Sequence, residues 1–351
     1  MHLPWLESGE ESKVARAALL PLDLAALAYR AGAFLHRSAY DRGWLARRRL
    51  SCRVVSVGNL TVGGSGKTPT TAWLAVGLRR RGHKVVIASR GYGRRSHEPV
   101  VVVSDGVQVR ASVSAAGDEP LVLAAHAPGI PVLVGADRSV VGLRAVSAFG
   151  ADVLVLDDGF HHHRLARDVE LLTIDGRFGF GNGRVLPRGP LREPLSALRR
   201  ADAIGIIDGP LAAAGARSVE TFAPRALLFS ARRRPRGLRP LAGGSEAPPE
   251  SLAGLEVGLV AGIARPEALR QTVEALGARV VACRTFPDHH PFRARDVSDL
   301  SRFAKLWVTT EKDAVKILPS WIGHADVRVL AIDLEVTEPD RILDFVEARM
   351  R

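Results

Sequence analysis

An α/β fold with a mostly parallel sheet is what this sequence predicts, and three observations carry the prediction. From Arg53 onward, short β-branched runs alternate with helical stretches, the pattern of strands joined by crossover helices. A glycine-rich turn, "GGSGKT", lies between a strand-like run and a helix-like one, as in phosphate-loop NTPases. The alternation resumes beyond a stretch rich in Pro, Gly and Arg, which predicts a second, smaller α/β lobe.

In chain order, residues 13–38 place Leu20, Leu24, Leu27, Ala31 and Phe34 on one helical face, with Asp23, Arg30 and Arg37 on another. The "RRR" at 47–49 adds a basic patch. This is an amphipathic helix that either packs on its own domain or lies on an anionic membrane surface. Pro21 is expected to start or break it. "RVVSVG" reads as a strand, "TPTTAWLAVGLRRRG" as a helix, and "KVVIAS", "IPVLVGA", "ADVLVLDD", "ADAIGIID" and "ALLFSA" as further strands. "RRRPRGLRPLAGGSEAPPES", 232–251, is the linker candidate. Beyond it come the strand "EVGLVAGI", the helix "RPEALRQTVEALG", the strands "ARVVACRTF", "KLWVTT" and "VRVLAIDL", and a closing helix from about Pro339. The expected division is an N-terminal amphipathic segment 1–50, a phosphate-loop core 51–231, a linker 232–253 and a C-terminal α/β lobe 254–351.

With 351 residues and a net charge of +12, the chain has room for two domains and favours acidic partners such as nucleotides or an anionic membrane. Its arginines show no aromatic interleaving and it has only 3 Tyr, so no single-strand stacking platform is expected and nucleic acid is not an expected partner. Cys52 and Cys283 stand far apart, which excludes a disulfide framework or thiolate zinc site and suggests a reducing compartment. Neither a secretory signal nor a segment of about 18 uncharged apolar residues is evident.

The strict phosphate-loop spacing asks for glycine at 61, where this chain has Thr61. The phosphate cradle is built from successive N–H groups nearer the helix, so the departure relaxes the match without removing the site. Thr61, Val62, Gly63, Gly64, Ser65, Gly66, Lys67 and Thr68 are the expected nucleotide contacts. Lys67 would reach the β- and γ-phosphates of ATP and the Thr68 hydroxyl would bind Mg2+. Asp157 and Asp158 end a strand where a magnesium carboxylate is expected, although Asp-Gly could also make a hairpin turn.

Asp118, in "GDEP", is either a helix cap or a catalytic carboxylate. His289, in "FPDHHPF", is either a base or solvated. Arg138, Arg192 and Glu193 either hold an acidic substrate or form ion pairs. The triple histidine 161–163 suggests an alternative, a metal-delivering phosphate-loop NTPase, but three consecutive histidines on a regular element cannot all face one ion. "VTTEKDAVK", 308–316, has the look of a base-reading loop without guanine-specific spacing, because Lys312 directly precedes Asp313.

"SVGNLTVGGSGKTP", "SRGYGR", "GDEP", "LDDGFHHH", "GFGNGRVLPRGPLREP", "FPDHH" and "VTTEKDAVK", in this order from about Val54 to Lys316, resemble the tetraacyldisaccharide 4'-kinase family. That family's loop also departs from the strict glycine pattern. The resemblance implies transfer of the ATP γ-phosphate to the 4'-hydroxyl of a tetraacyldisaccharide 1-phosphate, a lipid disaccharide, at the cytoplasmic face of the inner membrane. It implies an Asp118–His289 pair that activates the hydroxyl, Mg2+ on Thr68 and the Asp157/Asp158 pair, and substrate or phosphate contacts from Arg138, Arg192 and Glu193. His161 stands where the family usually has Gln.

Overall fold

The computed structural model describes residues 19–351. Residues 13–18 of the expected helix lie outside them. Among the described residues twelve strands form one sheet: β1 (Arg53–Gly58), β2 (Val85–Ser89), β3 (Val101–Asp105), β4 (Pro131–Val134), β5 (Val153–Asp157), β6 (Val169–Asp175), β7 (Ala203–Ile207), β8 (Leu227–Pro240), β9 (Glu256–Ala261), β10 (Arg279–Thr285), β11 (Leu306–Thr310) and β12 (Asp326–Val336). Their order is β10-β9-β11-β12-β8-β7-β6-β1-β5-β2-β4-β3. The pairing is parallel except between β3 and β4 and between β8 and β12.

The β-branched runs are buried on both faces, as a parallel sheet under helices requires. In β5, Val153 and Val155 pack with Leu74 and Leu78 of the helix Lys67–Arg80. Leu154 and Leu156 face the other way, onto Val141 and Ala145 of the helix Arg138–Phe149. This is the period of two expected of a strand. The C-terminal helix Pro339–Met350 returns to the N-terminal half of the sheet, setting Ile342, Leu343 and Val346 in the same cluster as Leu74 and Leu78.

The stretch expected to be a linker is in its first half a strand. β8 starts parallel to β7 over Leu227–Ala231, then runs on antiparallel to β12 through Arg232–Pro240. Its basic side chains alternate outward while the backbone joins the two halves of the sheet. β3 and β6 were not among the expected strands. β6 is central, next to β1.

The helix Leu20–Asp41 starts with Pro21 in its first turn. Leu20, Leu24, Leu27, Phe34 and Leu35 are exposed, followed by Trp44. The other side is tied to the body: Asp23 pairs with Arg184 and Arg188, and the Tyr29 hydroxyl donates to the Arg192 carbonyl at 3.0 Å. Among the described residues this apolar face is left exposed. No described helix is long and apolar enough to cross a membrane.

Candidate active site

The phosphate loop leaves β1 and enters the helix Lys67–Arg80 at the C-terminal edge of the sheet, where α/β proteins gather ligands. Its left-handed residues are Gly63 (φ 101°) and Gly66 (φ 84°). Position 61 therefore has no need of glycine. Thr61 is buried, bridged to Leu191, and its carbonyl accepts from the Asn59 side chain at 2.6 Å. The Val62 N–H donates to the Pro190 carbonyl at 2.9 Å, so the segment 185–192 clamps the loop. Val62, Gly63 and Gly64 form an exposed crest, whereas Ser65 is buried with its hydroxyl 3.2 Å from that of Thr173.

Lys67 folds back over the loop, donating to Asn59 Oδ1 at 3.1 Å and lying 3.8 Å from Asp158. Thr68 follows it, partly exposed, in the first turn of the helix.

Asp157 is buried at the end of β5 and accepts hydroxyl hydrogen bonds from Thr71 and Ser89, both at 3.2 Å. Burial pushes its pKa up to about 7, with the charges of Glu119 and Asp158 adding and Lys67 opposing. Asp158, at φ 54°, takes both 3.1 and 2.9 Å hydrogen bonds from Arg192. Burial also works to raise its pKa, but Lys67 and Arg192 outweigh it and hold it near about 2. A buried carboxylate carrying only hydroxyl partners, next to a second carboxylate, offers oxygen donors suited to Mg2+. Mg2+ needs only one or two protein carboxylates when phosphates supply the rest, so the absence of a larger acidic cluster among the described residues does not conflict with this fit.

Across the cleft, Asp118 and His289 meet. Asp118 lies at the N-terminus of the helix Glu119–His126 and accepts from the Glu119 N–H at 2.9 Å. The same carboxylate accepts from His289 Nδ1 at 3.1 and 3.0 Å, and Lys316 Nζ lies 3.4 Å away. Asp118 thus caps the helix, one of the two roles the sequence left open, and also contacts His289. Burial works to raise the Asp118 pKa, but the His289 hydrogen bond and the charges of Lys312 and Lys316 overcome it and bring it to about 2. The Asp118 hydrogen bond in turn raises His289 above its ordinary value, against burial and the Lys312 charge.

Arg138 is buried, held by the Ala136 carbonyl at 2.9 Å, and feels the charges of Asp157, Asp158 and Arg90. Arg192 is on Asp158. Glu193 is turned inward, accepting two 2.9 Å bonds from Arg200 and facing His161 Nδ1 at 2.7 Å. The other ring nitrogen of His161 faces the Asn59 carbonyl at 3.0 Å, so this residue links Glu193 to the phosphate loop. His162 instead approaches Asp137, and His163 packs on the rings of His36 and Tyr40. His161 and His163 both face Glu193, His163 Nε2 at 3.7 Å, while His162 turns to Asp137, so the three imidazoles do not converge on one point and the metal-delivery alternative is not favoured.

Sequence reasoning did not single out Glu119, Asn59 or Tyr92. Glu119 adjoins Asp118, Asn59 precedes the loop, and Tyr92, in "SRGYGR", lies with its ring centroid 4.8 Å from that of His289. Their neighbours in the quoted motifs were the available signal.

The family model for tetraacyldisaccharide-1-P 4'-kinase matches residues 15–351. The chain belongs to that family. A relative from Syntrophus aciditrophicus, named tetraacyldisaccharide 4'-kinase, is 42% identical over 331 residues, covering 90% of this chain and 88% of the relative. One of the same name from Anaeromyxobacter dehalogenans strain 2CP-C is 42% identical over 346 residues, covering 92% and 88%. The crystal structure of LpxK from Aquifex aeolicus in complex with ATP is similar at a TM-score of 0.75 and 30% identity, covering 96% of this chain and 99% of that one. The phosphate-loop α/β architecture read from the sequence is thus the family's.

Proposed function

We propose that Asp118 and His289 activate the acceptor in the reaction of this family, ATP-dependent phosphorylation of the 4'-hydroxyl of a tetraacyldisaccharide 1-phosphate, a step in lipid A biosynthesis. The observation that carries the residue assignment is the contact of Asp118 with His289 Nδ1 at 3.0 Å, between residues from the two lobes. With Nδ1–H given to Asp118, Nε2 takes the proton of the sugar hydroxyl as its oxygen bonds to the γ-phosphorus. The bond from that phosphorus to the β,γ-bridging oxygen breaks and ADP leaves. Asp118 stabilises the imidazolium that forms.

Lys67 and the N–H groups from Gly63 to Thr68 cradle the phosphates and draw off negative charge. Thr68, Asp157 and Asp158 would hold Mg2+, which when bound neutralises charge on the β- and γ-phosphate oxygens. Arg192 and Arg138 supply cations for phosphate groups of the nucleotide or lipid, while Glu193 positions the loop through His161 and Arg200. The uncovered face of the helix Leu20–Asp41, with the arginines at 47–49, suits the anionic surface of the inner membrane's cytoplasmic face, where the acyl chains of the substrate are anchored.

The test is transfer of labelled γ-phosphate from ATP to a tetraacyldisaccharide 1-phosphate in mixed micelles. The expected result is a singly extended phospholipid product from the wild type and at least about 10²-fold less from Lys67→Ala. ATP turnover that never labels the disaccharide, or near-normal transfer by Lys67→Ala, contradicts the reading.

A further inference from the structure

The "VTTEKDAVK" motif, which looked like a base-reading loop, is built against the Asp118–His289 pair. Thr310 caps the short helix Glu311–Ala314, its hydroxyl accepting from the Asp313 N–H at 3.2 Å. Asp313 accepts from the Gly262 N–H at 2.9 Å and pairs with Lys316 at 2.9 Å. Glu311 accepts from the Ile332 N–H at 3.2 Å and lies 2.8 Å from His126 Nε2. The backbone beneath Lys312 is therefore pinned on both sides.

From that base the Lys312 ammonium lies 3.1 Å from Asp288 Oδ1, 3.3 Å from Glu119 Oε1 and 3.2 Å from His289 Nε2. An ammonium carries only donors. The nitrogen facing it must offer a lone pair, just as the nitrogen facing Asp118 must carry the proton. The two contacts together specify one tautomer, with Nε2 unprotonated on the side away from Asp118.

We propose that Lys312 is the positioning residue of the acceptor-side base: its ammonium holds His289 Nε2 as a hydrogen-bond acceptor and yields that place to the sugar hydroxyl. Asp288 and Glu119 keep the ammonium when it withdraws. After proton transfer Nε2–H and the ammonium are two donors that repel, so the imidazolium cannot be trapped by Lys312 and Lys312 itself neither gains nor loses a proton. The proposal rests on the reading of His289 as the base.

The charged and titratable groups facing His289 are Asp118 from the helix start, Asp288 from its own loop, Tyr92 from the loop after β2 and Lys312 from the motif, with Glu119 reaching it through Lys312 and Lys316 through Asp118. Removing the Lys312 charge takes away a cation and frees two carboxylates, both of which favour the imidazolium. The base then loses its lone pair to protonation at a higher pH.

The experiment is the pH profile of kcat/KM for wild type, Lys312→Met, Lys312→Gln, Lys312→Arg and His289→Ala, with melting temperatures recorded for each. Lys312→Met and Lys312→Gln are expected to move the acid limb up by about one pH unit, with most of the rate recovered on the alkaline side. Lys312→Arg is expected to leave the limb in place while lowering kcat, because it keeps the charge without the geometry. A loss in Lys312→Met and Lys312→Gln that is equal at every pH, or a limb moved downward, overturns the proposal. If His289→Ala retains wild-type turnover, the reading of His289 as base fails first; if it is inactive and the lysine variants show no shift, only the role of Lys312 fails.

Discussion

Asp118 does two jobs with one carboxylate, capping a helix and holding an imidazole. Losing the first is expected to cost on the order of 1 kcal/mol of stability, whereas losing the second is expected, on the proposed reading, to cost turnover. His289 must be neutral to accept a proton, and its pKa is raised by Asp118, so kcat/KM is expected to rise with pH across a value above 6.5. Asp118→Asn withdraws the charge that raises it, so the acid limb should move to lower pH even as the plateau falls. A pH titration of kcat/KM checks the sign, which is opposite to that expected for Lys312→Met. At the phosphate end, the proposed roles of Asp157 and Lys67 concern charge on the phosphates rather than the core. Asp157→Ala is therefore expected to cost at least about 10²-fold in transfer while circular dichroism remains that of the wild type.

Among the elements, the N-terminal helix shows most plainly what a sequence pattern can and cannot decide. Its periodicity was legible, but whether the apolar face met protein or membrane was not, because both give the same stripe. The fold leaves Leu24 and Leu27 exposed and fixes the opposite side through Asp23 and Tyr29. Leu24→Glu with Leu27→Glu should leave the melting temperature nearly unchanged yet reduce sedimentation with anionic vesicles, and wild-type binding should weaken as salt rises. Unchanged vesicle binding by the double variant would count against the membrane assignment. β6 escaped the sequence reading for a different reason: Glu170 interrupts its apolar run, and only the structure shows that carboxylate buried against Arg167. In β8 the Arg and Pro residues imitate a linker because most of the basic side chains turn outward along a strand that pairs with β12 through one irregularity at Arg236. The phosphate loop and Asp157 were legible because their chemistry demands a fixed local order. The company of Glu119, Asn59 and Tyr92 was not, since it is created by contacts between distant segments.

At the scale of the whole molecule, one sheet runs through the described chain and the C-terminal helix locks back onto its N-terminal half. Leu343 is buried beside Leu74 and Leu78, so Leu343→Ala is expected to cost about 2–5 kcal/mol and to lower a single shared unfolding transition, read by calorimetry. Two separate transitions would contradict that coupling. The same architecture brings Asp118 to His289, 171 residues further along the chain, and on this meeting the functional reading depends. Asn at 118 can still accept the Glu119 N–H but carries no negative charge. The most direct test is therefore kcat for phosphate transfer to the disaccharide by Asp118→Asn, with its melting temperature measured alongside. A fall of about 10²- to 10⁴-fold at nearly unchanged melting temperature and ATP affinity is the expected result. An Asp118→Asn enzyme that is normally stable and fully active would show that the pair only caps a helix, and would contradict the account.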